Sequence, residues 1–325
     1  MILLWGLMDE RPMSAVADAL QRLGRPFVCL DQRHVLDTEV ELCIDTGMQG
    51  TVQTGQQVID LCAITAVYLR TYDWRYFPDI ESAGPDSPAW HYALGVEEVM
   101  QTWLELTPAL VVNPMMAMST NSSKPYQAMR IRSHGFAVPD TLITTDPEAA
   151  REFWEQHGTV IYKSISSIRS IVSRLTPEHI DRLQDLAWCP TQFQQYIPGY
   201  DYRVHVVGDD IFTCEIITRG DDYRYAERQG ASVAFRPYHL PADCADRCRT
   251  LALDLGLPVA GIDLRRTPEG QWYCFEVNPS PAFTFYQAAT GQPIDEAIAR
   301  FLGEGPRSLS QTPGEIASGV CPMRT

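Results

Sequence analysis

Over the first 115 residues, short apolar runs alternate with helical stripes. Ile2 to Trp5 is an unbroken apolar run. Val16, Ala19, Leu20 and Leu23 then fall at the i, i+3, i+4, i+7 spacing of an amphipathic helix, which Gly24 ends. Phe27 to Leu30 and Ala66 to Leu69 read as further strands, and Val96, Val99, Met100 and Trp103 form another helical stripe. Leu110 to Val112 closes the set before Asn113-Pro114. This order predicts a small open α/β sheet. No GxGxxG follows its first strand, so a dinucleotide site is not expected there.

A second unit begins with a helix from Lys124 to His134, stopped by Gly135. Asp146-Pro147 caps and opens another helix, which Gly158 ends. Thr159 to Ile165 is a strand, and Thr176-Pro177 starts a further helix. From Thr191 the pattern turns to β, with Gln192 to Ile197, Tyr202 to Val207, and Ile211 to Thr218 across the turn Gly208-Asp209-Asp210. A helix from Ala242 to Leu255 leads to the strand Val259 to Arg265, the turn Thr267 to Gly270, and the strand Gln271 to Asn278. From about residue 304 the chain is rich in Gly, Pro and Ser and reads as a loose tail.

Length and charge narrow the classes. With 325 residues the chain exceeds the size at which one core keeps growing, so two or three domains are expected. Lys and Arg total 26 against 41 Asp and Glu, a net charge of -15. Such a field repels nucleic acid and anionic membrane, and any anionic ligand needs a local cationic cluster. The apolar N-terminus lacks a basic flank and meets Asp9 and Glu10 at once, so it reads as a buried strand rather than a signal peptide. No segment reaches 18 uninterrupted apolar residues, so no membrane span is expected. The nine cysteines form no CxxC pair, and buried thiols in a reducing cytoplasm are the expectation.

The strongest chemical signal is Asp263, Glu276 and Asn278. An even turn between their strands would set Asp263 opposite Cys274 and diagonal to Glu276, and period 2 adds Asn278 to the same face. Two carboxylates and an amide suit Mg²⁺ that keeps waters and bridges nucleotide phosphates. Surface placement is the alternative. The apolar run Trp272, Tyr273, Cys274, Phe275 and Val277 argues against it, because a strand covered on both sides would need a counter-cation there. Lys163, mid-strand after Val160-Ile161-Tyr162, is either an edge gatekeeper or a phosphate partner. The Ser-rich loop Ser164 to Ser173 adds hydroxyls and Arg169.

Four segments in order resemble the ATP-grasp superfamily, in its RimK-like branch, which includes microviridin-type graspetide macrocyclases and RimK-type amino-acid ligases. They are NSSKPYQAMRIRSHGFAVPDTLIT, VIYKS, QFQQYIPGYDYRVHVVGDDIF and GIDLRRTPEGQWYCFEVNPSPAF. The resemblance covers about residues 105 to 302, and more weakly VYLRTYDW, which contains Arg70. It implies an α/β (α+β) ATP-grasp fold in which an N-terminal open sheet (1–115) precedes two β-rich subdomains (116–195 and 196–303) clamping ATP, with 304–325 as tail.

By the same resemblance, Lys124, Lys163, Ser164 and Arg169 would hold the ATP phosphates. Gln195, Tyr196 and Ile197 would pair with adenine, Asp201 would hold the ribose, and Asp263, Glu276 and Asn278 would bind Mg²⁺. Arg224 and Arg203 would steady the acyl-phosphate and the tetrahedral oxyanion, with salt bridges to Asp222 and Asp201 as their bland alternative. Two departures stand out: Ser166, Ser167 and Arg169 replace loop glycines, and Gln195 replaces an acid in the linker. The implied activity is an ATP- and Mg²⁺-dependent carboxylate–amine or carboxylate–hydroxyl ligase working through an acyl-phosphate, with Ser164 to Ser173 and Asp221 to Gly230 as lids. A peptide substrate competes with a free small acid, as in glutathione-synthetase-like enzymes, and with a nucleotide-binding protein lacking ligase activity. Arg219, Arg224, Arg228 and Arg236 fall within eighteen residues of an acidic chain, and are either solvated hairpin charges or a landing site for an acidic peptide. With Arg70, Arg228 and Arg236 are the substrate-binding candidates. A cytoplasmic protein, open to homodimer formation and without nucleic-acid or membrane partners, completes the expectation.

Overall fold

A computed structural model of the chain describes residues 1–45, 48–165, 172–218 and 232–305. The N-terminal unit contains β1 (Ile2–Gly6), α1 (Arg11–Arg22), β2 (Phe27–Asp31), β3 (Thr38–Ile44), β4 (Met48–Thr54), β5 (Gln57–Asp60), β6 (Ala66–Arg70), α2 (Pro78–Ala83), α3 (Pro88–Leu106) and β7 (Leu110–Val112). Its parallel sheet has the order β2-β1-β6-β7. Every residue of β1 is buried because both faces are covered. Leu3 and Trp5 pack toward α3, while Ile2 and Leu4 pack toward α1. The antiparallel meander β3-β4-β5 was not expected from the sequence.

The middle of the chain supplies α4 (Met115–Met118), α5 (Lys124–Ser133), β8 (Thr141–Thr144), α6 (Pro147–His157), β9 (Val160–Ser164), β10 (Ser173–Arg174), α7 (Pro177–Ile180) and β11 (Thr191–Gln195). Four of these strands form a sheet in the order β10-β9-β11-β8, with Ala150 of α6 buried in its core. The last part supplies β12 (Tyr200–Val207), β13 (Asp210–Thr218), β14 (Val233–Tyr238), α8 (Ala242–Asp254), β15 (Val259–Arg266), β16 (Trp272–Asn278), α9 (Thr284–Thr290) and α10 (Ile294–Glu304). Its sheet has the antiparallel order β14-β13-β12-β15-β16.

Two helices pack against sheets formed by other parts of the chain. Ile131 of α5 joins α8 in the core of the five-stranded sheet, and Ile298 and Leu302 of α10 pack with α1 against the N-terminal sheet. Of the cysteines, Cys214, Cys244, Cys248 and Cys274 are buried as expected, but Cys43, Cys62 and Cys189 are exposed. No helix among the described residues is long and apolar enough to cross a membrane.

Candidate active site

The site lies on the face of the five-stranded sheet turned away from α8. Arg203 of β12 pairs with Asp263 of β15, which pairs with Glu276 of β16; one rung along, His205 pairs with Gly261 and Gly261 with Asn278. Strand parity therefore gathers these side chains on one face. The register differs from the expected one. A bulge shifts it between Asp263 and Leu264, so Asp263 sits directly across from Glu276 and Cys274 across from Leu264. The extra residue reverses parity before Glu276. Cys274 thus enters the core with Leu264 instead of sharing the acidic face, and burial, reinforced by Asp263 and Glu276, pushes its thiol well up.

Each carboxylate of the cluster has a cation. Arg203 Nη1 donates to Asp263 Oδ1 at 2.6 Å, and Lys124 Nζ donates to Glu276 Oε2 at 2.8 Å. Asn278 Nδ2 lies 3.4 Å from Asp263 Oδ2 and 3.4 Å from Glu276 Oε1, so the three expected metal ligands meet at one point. Among the described residues no group of three or more His, Cys, Asp or Glu side chains is arranged for a metal. Two carboxylates and one amide instead fit a hard cation that keeps most of its water and shares the rest of its shell with phosphate. The amide would present its oxygen by turning over.

Gly261 makes room for Arg203. A Cβ there would stand 2.2 Å from Arg203 Nη2 and 2.7 Å from Pro281 Cβ. His205 is buried against the Tyr286 ring, with centroids 5.1 Å apart. Burial, and secondarily the charge of Arg203, lowers its pKa well below the usual imidazole value, so it is a neutral wall of the site. Sequence reasoning missed His205; its signal was the period-2 run Asp201, Arg203, His205.

Between this sheet and the four-stranded one, two cavities share Lys163, Gln194 and Phe275. One, of about 320 Å³, extends toward Lys124, Arg132 and Gln192. The other, of about 110 Å³, reaches Tyr196, Asp201, Asp263 and Glu276. Lys163 thus faces the space between the sheets from the centre of β9, whose partner strand β11 sets it across from Gln192. Of the expected residues, Lys124 and Lys163 line the first cavity and Lys163, Asp263 and Glu276 the second, with Asn278 beside the two carboxylates.

Other expected site residues are already engaged. Arg265 grips both oxygens of Asp201 at 2.7 and 2.8 Å and donates to the Ile197 carbonyl at 2.8 Å. The N–H groups of Gln195 and Tyr196 donate to the carbonyls of Asp140 and Thr159. Arg265, absent from the expected set, is therefore the group that shapes the linker. Ser164 is exposed at the end of β9. Arg70 is buried: it binds both oxygens of Glu10, at 2.7 and 2.5 Å, and the Pro281 carbonyl at 3.3 Å. Those contacts make it a strut between the N-terminal sheet and the loop after Asn278. Arg236 pairs with Glu215, across from it on β13, and keeps most of its side chain in solvent. Arg169, Arg224, Arg228 and nearly all of both expected lids lie outside the described residues.

Known proteins place this architecture. The macrocyclase MdnC from Microcystis aeruginosa MRC, solved bound with precursor peptide MdnA, superposes with a TM-score of 0.80 at 24% identity, covering 94% of this chain and 99% of that one. At that identity the likeness is one of fold. The ATP-grasp ligase PsnB, complexed with a phosphomimetic variant of its minimal precursor, Mg and ADP, gives a TM-score of 0.78 at 26% identity, covering 93% of this chain and 97% of that one. A probable alpha-L-glutamate ligase of Histophilus somni (strain 2336) is 30% identical over 146 residues, which are 43% of this chain and 44% of that relative. The matched stretch is thus under half of the relative's own length. The family model of the RimK-like ATP-grasp domain matches residues 123–302, more than half of the sequence. The chain belongs to the RimK-like ATP-grasp family.

Proposed function

We propose that this protein is an ATP- and Mg²⁺-dependent ligase that activates a peptide carboxylate as an acyl-phosphate and joins it to an amine or hydroxyl, releasing ADP and phosphate. The observation that carries the proposal is the meeting of Asp263, Glu276 and Asn278, with Lys124 and Arg203 bound to the two carboxylates, beside a cleft lined by Lys163. A carboxylate is a poor acyl donor because its oxygen leaves badly, and phosphorylation supplies the leaving group. Lys163 and Lys124 would hold the phosphates in line with the attacking carboxylate. Asp263, Glu276 and Asn278 would hold Mg²⁺, which would supply charge neutralisation for the transferring phosphoryl. Arg203, anchored on Asp263 and lying 5.8 Å over the Tyr286 ring, would present its guanidinium to the acyl-phosphate and then to the tetrahedral oxyanion. Attack by the nucleophile expels phosphate and its proton passes to solvent or a neighbouring base.

A peptide substrate is supported by the precursor peptides bound to MdnC and PsnB. The glutamate-ligase relative favours a second reading, addition of a free amino acid to a carboxylate. Incubation with MgATP, an acidic peptide containing Thr, Ser and Lys, and hydroxylamine tests both. ADP, phosphate and a peptide hydroxamate are the expected products. AMP and pyrophosphate would refute acyl-phosphate chemistry. Without hydroxylamine, loss of water from the peptide marks cyclisation, whereas a gain of one residue that requires added glutamate marks amino-acid addition.

A further inference from the structure

β16 is an edge strand, and α5 packs against it. Near its start the outer rim is paired by main chain: Ala137 N–H donates to the Trp272 carbonyl at 3.2 Å and Cys274 N–H to the Ala137 carbonyl at 2.9 Å. Beyond the bulge no strand among the described residues continues this pairing, and the N–H and C=O of Val277 bond to α5. One side chain meets both. Val277 N–H donates to Gln127 Oε1 at 2.9 Å, and Gln127 Nε2 donates to the Val277 carbonyl at 2.8 Å. Gln127 is 2% exposed and Val277 fully buried, so water has no access to replace either bond. Gln127 lies one turn after Lys124 on the same face of α5. Asn113 closes the next stretch, donating to the Pro279 carbonyl and binding the N–H and C=O of Val259.

We infer that Gln127 is a positioning residue for the metal ligands: its amide stands in for the missing strand partner of Val277 and fixes the two residues on either side, Glu276 and Asn278, against Asp263. The inference rests on the ligase reading for the identity of the ion. The bulge makes the clamp necessary, because a strand that has gained one residue can lose it again, and a one-residue slip would carry Glu276 and Asn278 to the opposite face. Gln127 touches neither ion nor nucleotide; it acts through the strand.

The full chain carries the test, with Mn²⁺ and ADP as probes. Gln127→Met keeps the length and removes both bonds, Gln127→Glu keeps the acceptor for Val277 N–H, and Arg130→Gln loosens α5 elsewhere by breaking the Asp254 pair. Gln127→Met is expected to weaken Mn²⁺ binding to the ADP complex about 10–100-fold, the range for partners that orient metal ligands, with metal-free ADP binding nearly unchanged. Gln127→Glu should recover part of the loss, and Arg130→Gln should leave Mn²⁺ binding as in wild type. Amide exchange at Val277 should accelerate in Gln127→Met. Should that variant not fold, Gln127→Glu is expected to show a smaller loss of Mn²⁺ affinity with Val277 N–H still protected. Unchanged Val277 exchange in Gln127→Met would overturn the inference, as would metal-free ADP binding falling in step with Mn²⁺ binding, an equal loss in Arg130→Gln, or wild-type Mn²⁺ binding in a folded Gln127 variant. A wild-type protein whose ADP binding ignores Mn²⁺ would refute the ligase reading and this inference with it. A wild type that responds, with a Gln127→Met variant responding equally, would refute this inference alone.

Discussion

Replacing Lys124 by Met tests whether that lysine holds a metal ligand before the ion arrives. The Lys124–Glu276 contact of 2.8 Å joins side chains that are 19% and 18% exposed. A hydrogen bond to a charged group contributes about 1.5–3 kcal/mol, and one-fifth exposure places this one near about 2 kcal/mol. Asp263 lies directly across from Glu276, so the variant removes a cation from a face that carries two carboxylates. At about 2 °C per kcal/mol for a chain above 250 residues, Lys124→Met should lower Tm by about 4 °C without ligands. Mg²⁺ reverses the order. On the proposed reading the ion would have to displace Lys124 from Glu276 in the wild type, whereas in the variant that lysine no longer competes. The metal should therefore bind the nucleotide-free variant up to about 30-fold more tightly, the equivalent of 2 kcal/mol at about 1.4 kcal/mol per factor of ten. Scanning fluorimetry with increasing Mg²⁺ measures both effects, with Asp263→Asn as the variant that should not respond. Equal Mg²⁺ shifts in wild type and Lys124→Met would refute the competition for Glu276.

Gly261→Ala should push the Arg203 guanidinium off Asp263, because the new Cβ would stand 2.2 Å from Nη2 with Pro281 Cβ 2.7 Å away on its other side. A stability cost of about 1–3 kcal/mol and a kcat loss well beyond any change in ATP KM are expected, and an unchanged kcat would show that the arginine moves aside freely. Arg130→Gln should lower stability in a pH-dependent way. Burial alone would raise the Asp254 pKa, but Arg130 and His134 outweigh it and hold it below the usual carboxylate value. A depressed carboxylate stabilises above its unfolded pKa and loses that contribution as pH falls, so the Tm difference between wild type and variant should narrow between about pH 5 and pH 3. A difference that widens on acidification would contradict the assignment.

The gathering of Asp263, Glu276 and Asn278 on one face was legible because period 2 along β15 and β16 is a property of each strand alone. The bulge was not, since an even turn count assumes an unbroken ladder, and nothing in Trp-Tyr-Cys-Phe-Glu marks which residue is extra. Partner choice was equally hidden. Glu10 and Arg70 are 60 residues apart and Lys124 and Glu276 are 152 apart, and only the tertiary fold decides that one arginine becomes a strut while one lysine faces a carboxylate. Two omissions did have a signal. Val40, Leu42 and Val52 alternate with polar residues in the β3-β4 hairpin, and Ile294, Ala297, Ile298 and Leu302 trace the inner stripe of α10.

The ion pairs of the cleft also bear on how a polyanion enters a protein of net charge -15. Asp263 pairs with Arg203, Glu276 with Lys124 and Asp201 with Arg265, so each of these three carboxylates already has a cation at hand. On the ligase reading, free ATP arriving alone would draw Lys124 away from Glu276. Mg²⁺ alone would displace the lysine without giving it a new partner. On the proposed reading the two together would exchange partners with charge conserved, the carboxylates holding the ion and Lys124 the phosphates. The Asp201–Arg265 pair stands outside this exchange, because its second anchor on the Ile197 carbonyl ties it to the linker. On that reading, pairing before binding would disfavour each half of the metal–nucleotide complex separately, and the pairing follows from which side chains β12, β15, β16 and α5 bring within 3 Å of one another.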